Sequence, residues 1–155
     1  MLSILYDINK AKKEVIENHL SICSESFIPP LETYVDISEY AEKLAKNAVT
    51  FEAWNNNQLV SLIACYLNDK VNNKGFISSV STIPSFQGKG IISKLLQNLI
   101  QYAKSQNFSC LLLEVKKINN KAISFYIKKG FKIDKNLSTG DTYNMYLTID
   151  GRNSE

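Results

Sequence analysis

A chain of 155 residues, 45% of them apolar, is long enough to bury one sizeable core and falls within the length of a single domain. Its formal charge of +3 is small and its lysines are dispersed, which does not suit the basic footprint of a duplex-binding protein. No run approaches the roughly 20 apolar residues that cross a bilayer, and the start, "MLSILYDINKAKKEVIENHL", lacks a basic region ahead of its apolar residues and a small-residue cleavage site, so neither nucleic acid nor membrane is expected as a partner.

In chain order, "LSILYDI" reads as a short apolar strand, and Asn9 to Leu20 follows with Ala11, Val15, Ile16 and Leu20 at helical spacing. Pro29 and Pro30 in "SFIPPLETY" exclude helical φ/ψ upstream and remove two donors, which makes that stretch a loop. In "VDISEYAEKLAKN", Asp36 and Glu39 stand in the relation of a capping box, and Ile37, Tyr40, Ala41 and Leu44 share a face, so a second short helix begins there. From Val49 the period changes to that of strands, near Val49 to Trp54, Leu59 to Leu67 and Phe76 to Ile83, with the turn signals "NNNQ" and "NDKVNNKG" between them. These three are expected to form an antiparallel meander.

Ile91, Leu95, Leu99 and Tyr102, with Ile92, Leu96, Ile100 and Ala103, then make a long amphipathic helix that stops near Asn107, a residue that tolerates the left-handed conformation. "CLLLEV" reads as a buried strand, and "NNKAISFYIKKG" returns to helical spacing with a glycine at its end. "FKI" opens another strand, "TYNMYLTI" alternates like a last one, and the closing "GRNSE" is expected to fray.

Cys23, Cys65 and Cys110 are odd in number and too far apart for a Cys-x-x-Cys motif, so they are expected as buried, reduced thiols in a cytoplasmic protein. His19 cannot complete a zinc site with cysteines so distant and is expected as an ordinary polar residue of the first helix; no metal is expected.

The stretch "SFQGKGIISKLL", Ser85 to Leu96, places two glycines ahead of a helix, where the backbone can turn with φ > 0 and an anion can approach the exposed amides. A Walker A loop is excluded because no glycine precedes Gly88 at the required distance. A dinucleotide-binding fingerprint fits on paper, with Gly88 and Gly90 between strand and helix and Glu114 further on. It fails on architecture, because Ser93 stands in the third glycine's place and too little chain follows Glu114 to complete a doubly wound sheet.

What remains is a strand, a glycine loop led by Gln87, and a helix whose free amides face the loop. Here the sequence resembles the GNAT superfamily of acyl-CoA-dependent N-acetyltransferases, whose Gln/Arg-x-x-Gly-x-Gly/Ala motif is matched by Gln87, Gly88, Lys89, Gly90, Ile91 and Ile92. "TIPSFQGKGI" is similar to the family's strand-end Val-x-Pro-x-aromatic run. "EVKKINNKAISFYIKKGFKI" is similar to its later segment, on Asn119, Ala122, Tyr126, Gly130 and Phe131. Two motifs in the right order, spanning Phe76 to Ile133, are far more specific than either alone.

The resemblance implies a mixed α/β fold of the α+β type, with a mostly antiparallel twisted sheet that splays between its central strands, flanked by about four helices. It implies one acetyltransferase domain over residues 1–155, with an acceptor side in about 1–75 and an acyl-CoA-binding part in about 76–150. Acetyl-CoA is the implied co-substrate. Its pyrophosphate falls to the backbone amides from Gly88 to Ile92, and its pantetheine amides to the strand backbone at Val80, Ser81 and Thr82.

Tyr126 would protonate the leaving thiolate, with a core tyrosine as the alternative; Asn119 would cap its helix, contact the cofactor, or both. Ile92 departs from the family's Gly/Ala, and its β-branched side chain narrows the approach of a phosphate. Many relatives carry a glutamate on the strand before the loop, whereas "FISSVSTI" offers only Ser78, Ser79, Ser81 and Thr82, which leaves open a water relay to Glu52 or Glu114. Lys89, Lys94, Lys116, Lys117, Lys121 and Lys128 either meet a 3′-phosphate or are solvated helix faces.

The implied reaction is acetyl transfer to a primary amine by direct attack in a ternary complex, with no covalent acyl-enzyme and no part for Cys65 or Cys110. The acceptor is an amino sugar, polyamine, amino acid or protein amine. Phe27, Ile28, Pro30, Leu31 and Tyr34, an apolar loop between two helices, line its pocket or pack in the core. The protein is expected as a monomer or homodimer. Two other readings stay open: a catalytically weak or inactive CoA-binding regulatory module, and a dinucleotide-binding protein.

Overall fold

In the computed structural model, which describes residues 3–149, the period-two stretches form seven strands. They are β1 (Leu5–Ile8), β2 (Val49–Asn55), β3 (Gln58–Asp69), β4 (Lys74–Thr82), β5 (Cys110–Lys116), β6 (Lys132–Thr139) and β7 (Thr142–Thr148). One sheet holds them in the order β1-β2-β3-β4-β5-β7-β6. Pairing is antiparallel for β1 with β2, β2 with β3, β5 with β7 and β6 with β7, and parallel for β4 with β5. The helices are α1 (Lys13–Cys23), α2 (Ile37–Asn47), α3 (Ile91–Ser105) and α4 (Asn120–Lys128). This is the expected mixed, mostly antiparallel architecture, and it is not the all-parallel doubly wound sheet of a dinucleotide-binding fold.

The parallel ladder of β4 with β5 runs from Lys74↔Cys110 to Phe76↔Leu112 and ends well short of either strand's end, as the expected splay requires. The expected fraying of "GRNSE" lies outside the described residues, as does Leu2 of the expected opening strand.

Two compact units divide the chain. One holds the residues up to Tyr66 together with Ser79–Leu99, and the other holds Leu67–Ser78 and the residues from Ile100 on. In the first unit, helical spacing brings Ile16 and Leu20 of α1 and Ala41 and Leu44 of α2 together with Leu31, and with Leu62 and Ala64 of β3, in one buried cluster. Each fully buried leucine there contributes roughly 1.5–3 kcal/mol relative to exposure.

The α2 helix begins as its sequence indicates, with the Asp36 side chain accepting from the Glu39 amide at 3.0 Å. The α1 helix begins four residues later than its apolar spacing suggests. Asn9 takes a left-handed φ of 59°, and the amides of Lys10 and Ala11 are drawn to the Glu52 carboxylate instead of into a helical turn. "SFIPPLETY" is a loop containing 3-10 turns at Ser24–Ser26 and Leu31–Thr33.

In the second unit, Leu111, Leu113 and Val115 of β5 are buried at alternate positions, along with Ala103, Phe108, Phe131, Met145 and Ile149. The α3 helix closes at Asn107, with φ 67° and the Phe108 amide donating to Ala103 O at 2.9 Å. The α4 helix closes the same way at Gly130, with φ 100° and the Phe131 amide donating to Tyr126 O at 2.9 Å.

Candidate functional site

The glycine loop follows a 3-10 turn at Pro84–Phe86 and leads directly into α3. Gly88 and Gly90 adopt φ of +76° and +80°, and a Cβ at either position would meet no heavy atom within 4 Å. The first carbonyl taken up by α3 is that of Gly90, which accepts from Lys94 N at 3.3 Å. Among the described residues, no amide from Gly88 to Ser93 donates to a backbone carbonyl. Positive φ, open space and a run of free amides at a helix start together make an anion cradle of the kind a pyrophosphate fits. Ile91 is buried and anchors the helix, Ile92 is half-buried, and Lys89 is exposed.

Gln87, the motif's first residue, ties this loop down. Its Nε2 donates to Thr82 O at 3.0 Å and to Ser26 Oγ at 3.3 Å, so the end of β4 and the segment after α1 meet at one side chain. The end of β4 is polar and buried. Ser61 Oγ donates to Ser81 O at 3.1 Å and shares a hydrogen bond with Thr82 Oγ1 at 2.8 Å, while Ile83 N donates to Val60 O at 2.9 Å. The Ser79 hydroxyl is buried without a hydrogen-bond partner among the described residues.

His19 departs from the sequence expectation. It is 1% exposed, with Nδ1 2.9 Å from Leu59 O and Nε2 2.9 Å from Ser81 Oγ, because it falls on the buried stripe Ile16, Leu20 and Cys23 of α1. Burial drives its pKa down to about 4, against the hydrogen bond to Leu59 O, which favours the proton. Helical spacing was a signal for this placement, since position 19 lies three residues past Ile16 and four before Cys23.

Glu52 is wholly buried, and its carboxylate is saturated. It accepts from Lys10 N, Ala11 N, Thr50 Oγ1 at 2.6 Å and Trp54 Nε1 at 3.1 Å. Such a carboxylate holds the β1–α1 connection in place and has no lone pair directed at a substrate. Among the described residues, no group of three or more His, Cys, Asp or Glu side chains is arranged to hold a metal ion.

Asn119 and Tyr126 lie on α4, in the second unit. Asn119 is the N-cap, its side chain accepting from Ala122 N at 3.3 Å. Tyr126 is buried, with its ring edge-on to Phe125 and Phe131 at centroid distances of 5.4 Å each, and burial pushes its phenol up to about 12. Glu114 is exposed on β5 opposite Asn144. Of the lysines, Lys116 pairs with Asp141 at 3.4 Å and Lys117 lies over the Tyr143 ring at 5.2 Å.

The loop between α1 and α2 divides by burial. Leu31 is 2% exposed and belongs to the core cluster, so its side chain is not part of a surface pocket. Phe27 packs partly against that cluster, whereas Ile28 and Tyr34 are exposed. The anchor is Ser24, whose hydroxyl bridges Glu32 N and the Glu32 carboxylate at 3.1 Å each. The thiols are free; Cys23 and Cys65 are buried, and Cys110 is half-buried rather than buried as expected.

The profile of the acetyltransferase (GNAT) family matches residues 14–131, which takes in both motifs and both units. The chain belongs to this family. It is 31% identical over 102 residues to the "Probable N-acetyltransferase san" of Drosophila melanogaster, a match covering 64% of this chain and 52% of that protein. The chain spans about half the length of the curated relatives it matches.

Among solved structures, this GNAT chain shares its fold with an acetyltransferase of the same family from Staphylococcus aureus Mu50. The TM-score is 0.76 and the identity 21%, over 96% of this chain and 100% of the other. It also shares its fold with the PaiA N-acetyltransferase of Thermoplasma acidophilum, solved in complex with coenzyme A. There the TM-score is 0.71 and the identity 18%, over 93% and 99% of the two chains.

Proposed function

We propose that this protein transfers an acetyl group from acetyl-CoA to a primary amine by direct attack in a ternary complex. The observation that carries the reading is the cradle at Gly88 and Gly90, where two left-handed glycines and the free amides through Ile92 present fixed dipoles over open space. Acetyl-CoA supplies an acyl group activated as a thioester. The chain's own residues bind, orient and move protons.

In this reading the amides from Gly88 to Ile92 hold the pyrophosphate, and the β4 backbone at Val80, Ser81 and Thr82 pairs with the pantetheine amides. Gln87 fixes the loop to Thr82 O. Tyr126 donates the proton that the departing thiolate takes; its phenol, raised to about 12 by burial, is in the protonated form at neutral pH, although burial makes it a weaker acid than a free tyrosine. Asn119 orients the start of α4 and contacts the cofactor. Phe27, Ile28 and Tyr34 face the acceptor, Leu31 supporting them from the core. Residues 1–75 form the acceptor side and 76–150 the acyl-CoA side of one acetyltransferase domain, at work in the cytoplasm, where its thiols stay reduced.

The experiment is an acceptor screen: labelled acetyl-CoA with a polyamine, an amino sugar, free amino acids and peptides bearing a free α-amine, following label transfer and thiol release together. Amine-dependent release with label on the amine supports the proposal; label trapped on Cys110 or Cys65 on the competent pathway contradicts direct transfer. One observation favours a second reading, a CoA-binding module without turnover: β4 carries no carboxylate, and Glu52 is saturated. Acetyl-CoA binding with no transfer to any amine class would select it.

A further inference from the structure

The first helix and the end of β4 meet in a buried polar node. Leu59 O is an acceptor, so the His19 nitrogen beside it, Nδ1, carries the proton, and Nε2 accepts the Ser81 hydroxyl proton. Cys23 Sγ approaches the same Nε2 at 3.6 Å. Ser81 is also held through its backbone carbonyl by Ser61, and Thr82 by Gln87. Packing α1 on the sheet requires only an apolar side chain at position 19, where a histidine costs free energy unless both nitrogens are paired. Here both are, and one partner is a residue of the strand assigned to pantetheine.

We propose that His19 is a positioning residue for acyl-CoA binding: by fixing the Ser81 side chain it holds the β4 backbone at Val80, Ser81 and Thr82 in the conformation that pairs with the pantetheine arm. The inference rests on the acetyl-CoA reading of β4 given above. At 1% exposure His19 touches no ligand and acts through Ser81, which is 7% exposed at the strand end. Its action is preorganisation: a strand already held in its binding geometry loses less freedom when the ligand arrives.

The two nitrogens can be separated. Asparagine at position 19 places an N–H near the Nδ1 position and keeps the Leu59 contact; glutamine reaches the Nε2 position and keeps an acceptor for Ser81. Acetyl-CoA affinity is measured by titration calorimetry on the full chain, beside melting temperature, for wild type, His19→Asn, His19→Gln, Ser81→Ala and the double variant His19→Asn/Ser81→Ala. The proposal expects His19→Gln to bind within about threefold of wild type. It expects His19→Asn and Ser81→Ala each to weaken binding about tenfold, and the double variant to be no weaker than either single, as for residues acting in one chain of contacts.

A merely structural histidine gives another pattern: both His19 variants melt lower and affinity stays within twofold of wild type throughout. That result overturns the proposal, as does a loss of affinity that follows melting temperature equally in the Asn and Gln variants. Should neither His19 variant fold, Ser81→Ala decides alone, and unchanged affinity there overturns it. A wild-type chain with no acetyl-CoA binding would bring down the cofactor reading and this inference together, an outcome distinct from any pattern among variants.

Discussion

The Oε2 of Glu52 accepts the backbone amide of Ala11 at 3.0 Å across a separation of 41 residues, and the same carboxylate takes the amide of Lys10 and the side chains of Thr50 and Trp54. A carboxylate so occupied is a structural clamp on the segment that joins β1 to α1. Glu52→Gln replaces an acceptor by an amide that repels at least one of those donors. A loss of about 2–4 kcal/mol in urea unfolding is expected, with turnover per folded molecule within twofold of wild type. The reverse, intact stability with lost turnover, would make Glu52 the missing base.

His19 makes stability depend on pH in a defined window. Its folded pKa, about 4, lies below the unfolded value near 6.5, so the unfolded chain takes up a proton that the folded chain refuses. Stability is therefore complete above pH 6.5 and falls as pH drops toward 4, by about 3 kcal/mol for a shift of this size. Urea unfolding at pH 7, 6, 5 and 4, compared with His19→Gln, isolates this contribution from that of the carboxylates. Parallel curves for the two proteins would contradict it.

Tyr126→Phe keeps the edge contacts with Phe125 and Phe131 and removes only the phenol oxygen. The melting temperature should change little, while turnover falls about 10²-fold, the scale of a lost general acid. Equal rates for the two proteins would remove Tyr126 from the chemistry.

Burial pushes the Cys23 and Cys65 thiols up to about 12, and the half-buried Cys110 is raised by the same cause. In the native protein at pH 8, a disulfide reagent should therefore label Cys110 first, and the other two only at the rate of unfolding. Labelling of Cys23 at a rate equal to that of Cys110 would contradict the buried node around His19.

Much of this was legible in the sequence, where local chemistry decided the outcome. Asp36 caps α2, Asn107 and Gly130 turn left-handed behind α3 and α4, and Gly88 and Gly90 do so ahead of α3, each position requiring what its residue type supplies. What escaped depends on partners far away in the chain. His19 is matched by Leu59 and Ser81, at separations of 40 and 62 residues, and nothing near position 19 announces either. The start of α1 is set by Glu52, and the choice that the sequence left open for Leu31, pocket or core, is decided by its packing with α1, α2 and β3. The tie from Gln87 to Ser26 belongs to the same class, since a motif glutamine says nothing of what lies opposite it.

We propose that the loop from Gly88 to Ile92 and the strand end at Val80 to Thr82 hold acetyl-CoA, and a melting series tests this without knowledge of the acceptor. Acetyl-CoA at 100 times its dissociation constant should stabilise the wild-type fold by roughly 2.7 kcal/mol through mass action, and NAD and ATP by much less, since neither has a pantetheine arm. Gly90→Val should abolish most of that shift. Its φ of +80° disfavours a β-branched residue, and the new side chain would fill the open space above the loop. No shift with millimolar acetyl-CoA, or a larger one with NAD, would contradict the account.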